Sequence, residues 1–319
     1  MPLPAIPCPL CGTVLEEGPG EALPPATWLD CLRRCPLCEV GLSNNLNNPT
    51  VIFNDPRMNV PPEVRGGVLE ALALALNERN RPNKRAKFGF STSEDALTWT
   101  VFKHLHDSGK LLDVLRRAGL PIPDGVSRPE ALLLWGVPLP LDRTANERGW
   151  RIREQLETIA DDLGEDPKSR TEPDVLIDLG ASGVFIMEAK HRSPTDVRAA
   201  EYAGWDRYYP IDGGLPYAAA VRASGCYELA RNWRFGLELV AGTDWPFALV
   251  CLGPDALFHG EAGEVLGRFE ACLPTDCRTR FSRLRWNNLL GSIADSPNWL
   301  LKYVRARGYV LEDSADAHR

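Results

Sequence analysis

Lysine and long apolar segments are scarce in this 319-residue sequence, and each shortage excludes a class of protein. Seven lysines stand beside 43 acidic residues, and the formal charge is −7. This balance excludes an evenly basic nucleic-acid coat but says nothing about local patches. The best candidate for a membrane span, residues 131–137, is followed by Pro138 and Pro140 and is far shorter than the roughly 18 residues required. We therefore expect no membrane partner.

A secretory signal is also not apparent, because no basic segment precedes an apolar one near residue 1. We therefore expect a cytoplasmic protein whose nine cysteines are thiols or metal ligands rather than disulfides. With 44% hydrophobic and 25% charged residues, the composition is typical of a folded globular protein. The length suits one large domain, or a medium domain with a small appendage.

Two C-x₂-C pairs lie close together at the start of the sequence, and each has Pro-Leu between its cysteines. Each pair aims two thiolates at one ion, and two pairs complete the tetrahedral sulfur set that Zn²⁺ prefers. We therefore predict a zinc ribbon over residues 1–50, with structural Zn²⁺ bound by Cys8, Cys11, Cys35 and Cys38. Free thiols or a redox pair are the alternatives. Cys31 is either a substitute ligand or a core residue.

The segment after the ribbon is predicted to be a connector over residues 51–90. It begins in a polar, proline-rich stretch that is typical of irregular backbone. Helix-forming residues then predict a helix over 68–76. Residues 79–87 carry five positive charges, a proline and no acid, which predicts an exposed basic loop. Residues 91–313 form the main domain in this prediction, with a helical carboxy-terminal part.

Periodic apolar patterns predict mixed helices and strands in the main domain. A helix is expected to follow the N-cap residue Ser93 and to run to about Leu105. Apolar runs and amphipathic stretches predict the other elements. These are strands over 131–137 and 247–252, and helices over 145–163, 226–240 and 281–293. The mixture predicts an α/β fold with a partly antiparallel sheet.

Two strand-like runs in the middle of the chain, Asp174–Leu179 and Val184–Lys190, are separated by four small residues. Side chains alternate between the faces of a strand, so Glu188 and Lys190 share one face. Asp174 joins that face only if its cross-strand partner is even-numbered, as Glu188 is. A three-residue loop at 180–182 permits this pairing and a two-residue turn forbids it. The hypothesis therefore requires an odd loop or a bulge.

Two acids and a lysine on one face of a hairpin have a specific chemical use. The carboxylates can hold a hard ion such as Mg²⁺, which lowers the pKa of a bound water and neutralises charge at phosphorus. The lysine can hydrogen-bond the attacking water and stabilise the transition state. Composition alone gives about one acid-x-Lys triplet by chance, and Asp166-Pro-Lys168 is such a decoy in a polar segment. A solvated edge or a salt bridge is the ordinary alternative.

The residues Pro173-Asp174 and Glu188-Ala189-Lys190 resemble the signature of the PD-(D/E)XK nuclease superfamily. The resemblance covers residues from about 91 to 252 and extends to the order helix, strand, hairpin, helix, strand. It implies a restriction-endonuclease-like mixed sheet flanked by helices. It also implies that Asp174 and Glu188 ligate Mg²⁺ with help from the Ala189 carbonyl, while Lys190 orients the attacking water.

The same resemblance implies a further acid on the first helix. Glu94 matches that position, and Asp95 is the alternative one residue on. Cleavage products with 5′-phosphate and 3′-hydroxyl ends are implied as well. The long stretch between the first helix and the hairpin departs from a minimal core, and we interpret it as an insertion.

Two local basic patches supply candidate phosphate contacts. They comprise Arg79, Arg81, Lys84, Arg85 and Lys87 in the first patch, and Arg280, Arg283 and Arg285 in the second. Charge runs are otherwise usual on solvated faces.

The sequence therefore predicts a Mg²⁺-dependent DNA endonuclease behind a zinc ribbon, and the resemblance suggests restriction or anti-phage defence. One alternative is a non-catalytic adaptor that binds nucleic acid or protein. Another is a nuclease subunit that a protein partner activates, and a homodimer suits an enzyme that cuts both strands. No base-reading element distinguishes DNA from RNA or indicates a recognition sequence.

Overall fold

The computed structural model describes residues 3–20, 24–25, 27–46, 49–212, 217–293 and 295–309. The strands are β1 (Ile6–Pro7), β2 (Val14–Leu15), β3 (Arg33–Cys35), β4 (Val40–Leu42), β5 (Val51–Phe53), β6 (Ala131–Leu134), β7 (Val137–Leu139), β8 (Val175–Asp178), β9 (Val184–Ala189), β10 (Phe247–Gly253) and β11 (Phe281–Arg285). The helices are α1 (Val68–Leu74), α2 (Arg81–Phe88), α3 (Glu94–Asp107), α4 (Leu111–Arg117), α5 (Glu147–Asp162), α6 (Trp205–Tyr208), α7 (Ala218–Ser224), α8 (Tyr227–Leu239), α9 (Gly260–Cys272), α10 (Trp286–Gly291) and α11 (Asn298–Arg305). Short 3₁₀ turns lie at Trp28–Asp30, Pro56–Asn59, Pro62–Val64, Glu78–Asn80, Gly180–Ser182, Asp255–Phe258 and Arg278–Arg280.

A six-stranded mixed sheet forms the centre of the main domain, in the order β11-β10-β9-β8-β6-β7. The pairs β7–β6, β6–β8 and β8–β9 are antiparallel. The pairs β9–β10 and β10–β11 are parallel. Parallel neighbours need crossovers, and α8 provides one between β9 and β10. The predicted α/β class with an antiparallel part is therefore confirmed.

The two faces of this sheet are buried by different helices. Alternate residues of β8 and β9 enter two separate apolar clusters, with Val175 and Met187 in one and Leu176 and Ile186 in the other. The first cluster also contains buried residues of α1, α3, α4 and α10, and the second contains those of α5 and α8. Strands buried on both faces read as continuous apolar runs, which is the pattern of the central strands.

The register of the β8–β9 hairpin is the one that the odd-loop hypothesis requires. Val175 pairs with Met187, and Asp178 pairs with Val184. The backbone N–H of Leu179 donates to the Gly183 carbonyl at 2.9 Å, which leaves the three-residue loop Gly180–Ser182. Asp174, one residue before β8, therefore stands opposite Glu188.

Helix α3 begins where the sequence predicts. The Ser93 side chain accepts a hydrogen bond from the backbone N–H of Ala96, and Glu94 and Asp95 lie in the first turn, at the positive end of the helix dipole. Eight residues of α3 are buried. The helix is thereby fixed against the sheet, with Glu94 at its amino-terminal end.

Small sheets form the amino-terminal part of the chain. β1 pairs with β2, and β3, β4 and β5 form a three-stranded antiparallel sheet. The sheet thus extends past residue 50, the predicted end of the ribbon, into the predicted connector. Ile52 also forms a bridge with Phe90, and the Val51 N–H donates to the Ser91 hydroxyl. These bonds tie the ribbon to the residues just before α3.

The structure overturns three local predictions. The segment 79–87 is not an exposed loop, because α2 occupies most of it and the Lys84 side chain is buried. The segment 131–137 is not one strand, because Trp135 and Gly136 adopt positive φ and turn β6 back into β7. The segment 281–293 starts as strand β11 rather than as a helix, because Phe281–Arg285 pairs with β10.

In the described part of the chain, no helix combines the length and the apolar character needed to cross a bilayer. The predicted end of the main domain, residues 310–313, lies outside the described residues.

Candidate functional site

The four cysteines of the two C-x₂-C pairs converge at one point. The Sγ atoms of Cys8, Cys11, Cys35 and Cys38 all lie within 4.8 Å of one another. Those of Cys11 and Cys35 are 3.6 Å apart, close to the roughly 3.8 Å edge of a tetrahedron of sulfurs bound to one Zn²⁺. The Thr13 hydroxyl lowers the pKa of the Cys11 thiol to about 6, whereas the hydrogen bond with Cys11 raises the pKa of the Cys38 thiol to about 12. The cluster is consistent with structural zinc.

Cys31 does not belong to this cluster. Its buried side chain packs where a Cβ on Gly41 would lie, and its Sγ is 3.7 Å from the Thr27 carbonyl oxygen. The sequence left Cys31 as either a substitute zinc ligand or a core residue, and the structure supports the role of core residue.

The Asp174 and Glu188 carboxylates lie at the end of the β8–β9 hairpin opposite its loop. Both belong to the sheet face that packs on α8, because they alternate in register with Leu176 and Ile186 of that face. Asp174 Oδ2 accepts a hydrogen bond from the Ala189 N–H at 2.8 Å. Glu188 is only 3% exposed. The hairpin therefore places two carboxylates side by side in a largely desolvated position.

Lys190 lies on the same face and forms ion pairs with two glutamates. Its Nζ is 2.7 Å from Glu188 Oε1 and 2.7 Å from Glu228 Oε2. Burial disfavours the ammonium form, but the surrounding carboxylates outweigh it and raise the pKa of Lys190 above its usual value. Lys190 is therefore a cation at neutral pH, suited to donating hydrogen bonds rather than to taking a proton.

The pKa values of Asp174 and Glu188 are both raised above their usual values. Burial raises the pKa of Asp174 to about 7, against an opposing effect of Lys190. Burial also raises the pKa of Glu188, and the nearby Asp174 and Glu228 add to the effect. Like charges in a dry site favour protonation or a bound cation. The site is thus short of positive charge when both groups are ionised.

Glu94 and Asp95 bind different partners. Glu94 Oε2 accepts hydrogen bonds from the His191 N–H at 2.9 Å and from the Ser193 hydroxyl at 2.8 Å. These bonds hold Glu94 beside the strand end that carries Lys190. Asp95 instead pairs with buried Lys84 at 2.9 Å. The contacts therefore favour Glu94 over Asp95 as the helix acid of this site.

Helix α8 contributes residues that sequence reasoning missed. Glu228 binds Lys190, and one turn later the Asn232 amide donates to Glu188 Oε2 at 2.7 Å. Burial would raise the pKa of Glu228, but the nearby charges of Lys190 and Arg231 outweigh it and lower that pKa. A polar triplet in an otherwise apolar buried helix face was the available signal. Nothing in the local sequence showed that this face lies on Glu188.

The predicted phosphate-binding patches are mostly engaged within the chain. Lys84 is 6% exposed and binds Asp95 and Glu172, so it belongs to the interior. Other predicted contacts also hold internal partners: Arg79 binds Asp166, Arg81 binds Glu78, Arg283 binds Glu270, Arg285 binds Asp255, and Arg280 lies over the Phe247 ring. Arg85 and Lys87 are exposed on α2.

A cleft of about 530 Å³ lies at the other end of the hairpin and does not include the carboxylate pair. Its lining includes Arg148, whose guanidinium donates to the fully buried Asp178 at 2.7 Å. That pairing gives Arg148 a structural partner, so the cleft adds no reactive group to the candidate site.

Comparison of the chain with protein-family models, with curated proteins and with solved structures found no match. The function proposed for the chain therefore rests on the geometry of the candidate site.

Proposed function

We propose that this protein is a metal-dependent nuclease that hydrolyses phosphodiester bonds in DNA. The observation that carries the proposal is the arrangement of Asp174, Glu188 and Lys190 on one sheet face, with Glu94 at its edge. The mixed sheet flanked by helices supports a restriction-endonuclease-like fold, as the resemblance of these residues to the PD-(D/E)XK signature implies. A role in restriction or anti-phage defence follows from that resemblance alone.

The residues of the site suit Mg²⁺ by their chemistry. Asp174, Glu188 and Glu94 supply hard carboxylate oxygens, the ligand type that Mg²⁺ selects. The Oδ1 atom of buried Asn232 has no hydrogen-bond partner among the described residues, although its Nδ2 binds Glu188. This leaves an additional oxygen next to the pair. When bound, the ion would lower the pKa of a coordinated water and offset charge on the phosphate.

The protein groups act around that centre. Asp174 and Glu188 would hold the ion from adjacent strands, and Glu94 would complete the set from α3. Lys190, kept cationic by Glu228, would donate a hydrogen bond to the attacking water and stabilise negative charge that develops at phosphorus. Glu228 acts through Lys190 and is therefore a positioning residue. Zn²⁺ bound by the four cysteines would stabilise the ribbon.

A plasmid-nicking assay with and without Mg²⁺ tests the proposal. We expect Mg²⁺-dependent nicking by the wild-type protein and losses of at least about 100-fold in Asp174→Asn and Lys190→Gln, the scale of removing one interaction that stabilises a transition state. Asp166→Asn is the matched control, because Asp166 belongs to the exposed acid-x-Lys decoy and should leave nicking unchanged. Equal nicking by all four proteins would refute catalysis at the hairpin.

One observation favours a second candidate, a nuclease that a partner activates. Lys190 and Glu188 are 5% and 3% exposed, and Lys190 is held between two acids. A phosphate can reach them only if the surroundings open. This candidate predicts no cleavage by the isolated chain and cleavage after a protein partner is added, with the same dependence on Asp174.

A further inference from the structure

A groove of about 490 Å³ lies between the zinc-ribbon segment and the main domain. One wall comes from the first cysteine pair, where Pro9 and Leu10 stand between the two cysteines. The opposite wall comes from the segment around Arg65, from Arg192 after β9 and from Arg307 after α11. Its volume falls within the range of about 300–1,000 Å³ that is usual for ligand sites.

The groove is cationic although the chain is acidic. Three arginines, Arg65, Arg192 and Arg307, line it, and its described lining contains no aspartate or glutamate. Hydroxyl groups of Thr50, Ser91 and Thr92 also line it. In a chain with a formal charge of −7, arginines and hydroxyls without an acid make a local site for an anion.

The three arginines of the groove differ in what they can offer a ligand. Arg307 is 8% exposed and donates to the Asn59 side chain at 2.7 Å, so it adds positive charge to the wall rather than a free donor. Arg65 donates to the Val60 carbonyl, and Arg192 is exposed. None of the three forms an ion pair within the described part of the chain. Asp55, whose pKa is lowered mainly by Arg57, also interacts with Arg65, so exposed Arg192 is the guanidinium most available to an anion.

The groove adjoins the carboxylate cluster, which consists of Glu94, Asp174 and Glu188. Arg192 lies between His191 and Ser193, and both neighbours bind the same oxygen of Glu94. On the other side, Ser91 and Thr92 immediately precede the start of α3, which carries Glu94. A chain of phosphates that lies in the groove would therefore pass directly to the proposed metal-binding residues.

We infer that this groove binds the phosphate backbone of a single nucleic-acid strand and leads it to the carboxylate cluster. The inference rests on the proposed function, because it assigns the substrate of that same site. Exposed apolar side chains, Leu10 at 56% and Met58 at 49%, border the arginines and offer surface to unpaired bases. Arginines with neighbouring apolar surface are the usual arrangement for single strands.

Binding of a fluorescent twelve-nucleotide oligothymidylate, followed by anisotropy in Mg²⁺-free buffer with the zinc-loaded protein, tests the inference. We expect Arg192→Gln to weaken binding by about 10-fold, the scale of one charge-assisted hydrogen bond. We also expect the slope of log K against log salt to fall by about 0.7 for each phosphate that the variant no longer neutralises. Arg151→Gln is the matched control, since Arg151 is exposed on α5 and does not line the groove.

Unchanged binding by both Arg192→Gln and Arg65→Gln would overturn the inference. So would equally tight binding of a twelve-base-pair duplex, or displacement of the oligonucleotide by an equal concentration of inorganic phosphate. Asp174→Asn separates this test from the nuclease proposal, because it should abolish cleavage and leave arginine-dependent binding intact. If the wild-type protein binds the strand through Arg192 but cleaves no strand either alone or with a protein partner, the nuclease proposal fails and the groove assignment stands.

Discussion

Asp174 stands opposite Glu188 across the β8–β9 hairpin, and the two carboxylates project from the same face of the sheet. The three-residue loop at Gly180–Ser182 sets this register. A one-residue slip would send one of the two side chains to the opposite face. The proposed metal site thus depends on the length of a loop some way from the chemistry.

The Glu188 carboxylate should be required for binding a divalent ion. We expect Mg²⁺ or Mn²⁺ at 100 times its Kd to stabilise the wild-type protein by about 2.7 kcal/mol, and Glu188→Gln to lose that stabilisation. Thermal unfolding with and without the ion measures it. Glu238→Gln, on the same helix as Glu228 but paired with Arg234, should behave as wild type. An undiminished shift in Glu188→Gln would contradict the metal site.

Asp174 should make the protein without Mg²⁺ less stable as pH rises. Its pKa is raised from 3.8 to about 7 on folding, so the folded state keeps a proton that the unfolded state releases. The contribution of Asp174 to stability is therefore full below about pH 4 and is lost as the pH rises to about 7, by an amount on the order of a few kcal/mol. Urea unfolding at pH 5 and pH 8 should show a smaller loss in Asp174→Asn. Equal losses in both proteins would rule out this titration.

The four clustered cysteines should bind one zinc ion, and the fifth should not contribute. We expect Cys35→Ser to lose zinc, because three thiolates leave the tetrahedral set incomplete. Cys31→Ser should keep a full equivalent, since the Cys31 sulfur packs outside the cluster. Metal analysis of the purified proteins measures the content per chain. A full equivalent in Cys35→Ser, or its loss in Cys31→Ser, would contradict the assignment.

Lys84 should contribute to folding rather than to nucleic-acid binding. It is buried between Asp95 and Glu172, at 2.9 and 2.7 Å. Lys84→Met leaves both carboxylates unpaired and should cost about 3 kcal/mol of unfolding free energy. Exposed Lys87 on the same helix is the control, and Lys87→Met should change stability by less than about 0.5 kcal/mol. Similar unfolding midpoints for the two variants would show that the buried ion pairs contribute little.

Local patterns were sufficient for the parts of the fold that depend on short spacings. The cysteine pairs, the N-cap at Ser93 and the odd hairpin loop each involve a few neighbouring residues, and each takes the predicted form. The strand at Phe281 and the burial of Lys84 were mispredicted. The first was predicted as the start of a helix and the second as part of an exposed basic loop, because only the neighbouring β10 and the distant Glu172 give these residues their partners.

The sequence by itself therefore determined the grouping of the four cysteines and the mixed α/β class, because periodicity and spacing act within one or two elements. It made the facing of Asp174 and Glu188 conditional on an odd loop, which the structure supplies. Tertiary structure alone decided that Glu228 and Asn232 approach the hairpin and that Arg65, Arg192 and Arg307 meet in one groove. The physical reason is distance along the chain. Segments separated by some 40 residues, as Glu188 and Asn232 are, or by more than 100, as the three arginines are, share no local pattern, and only the packed tertiary structure brings their charges together.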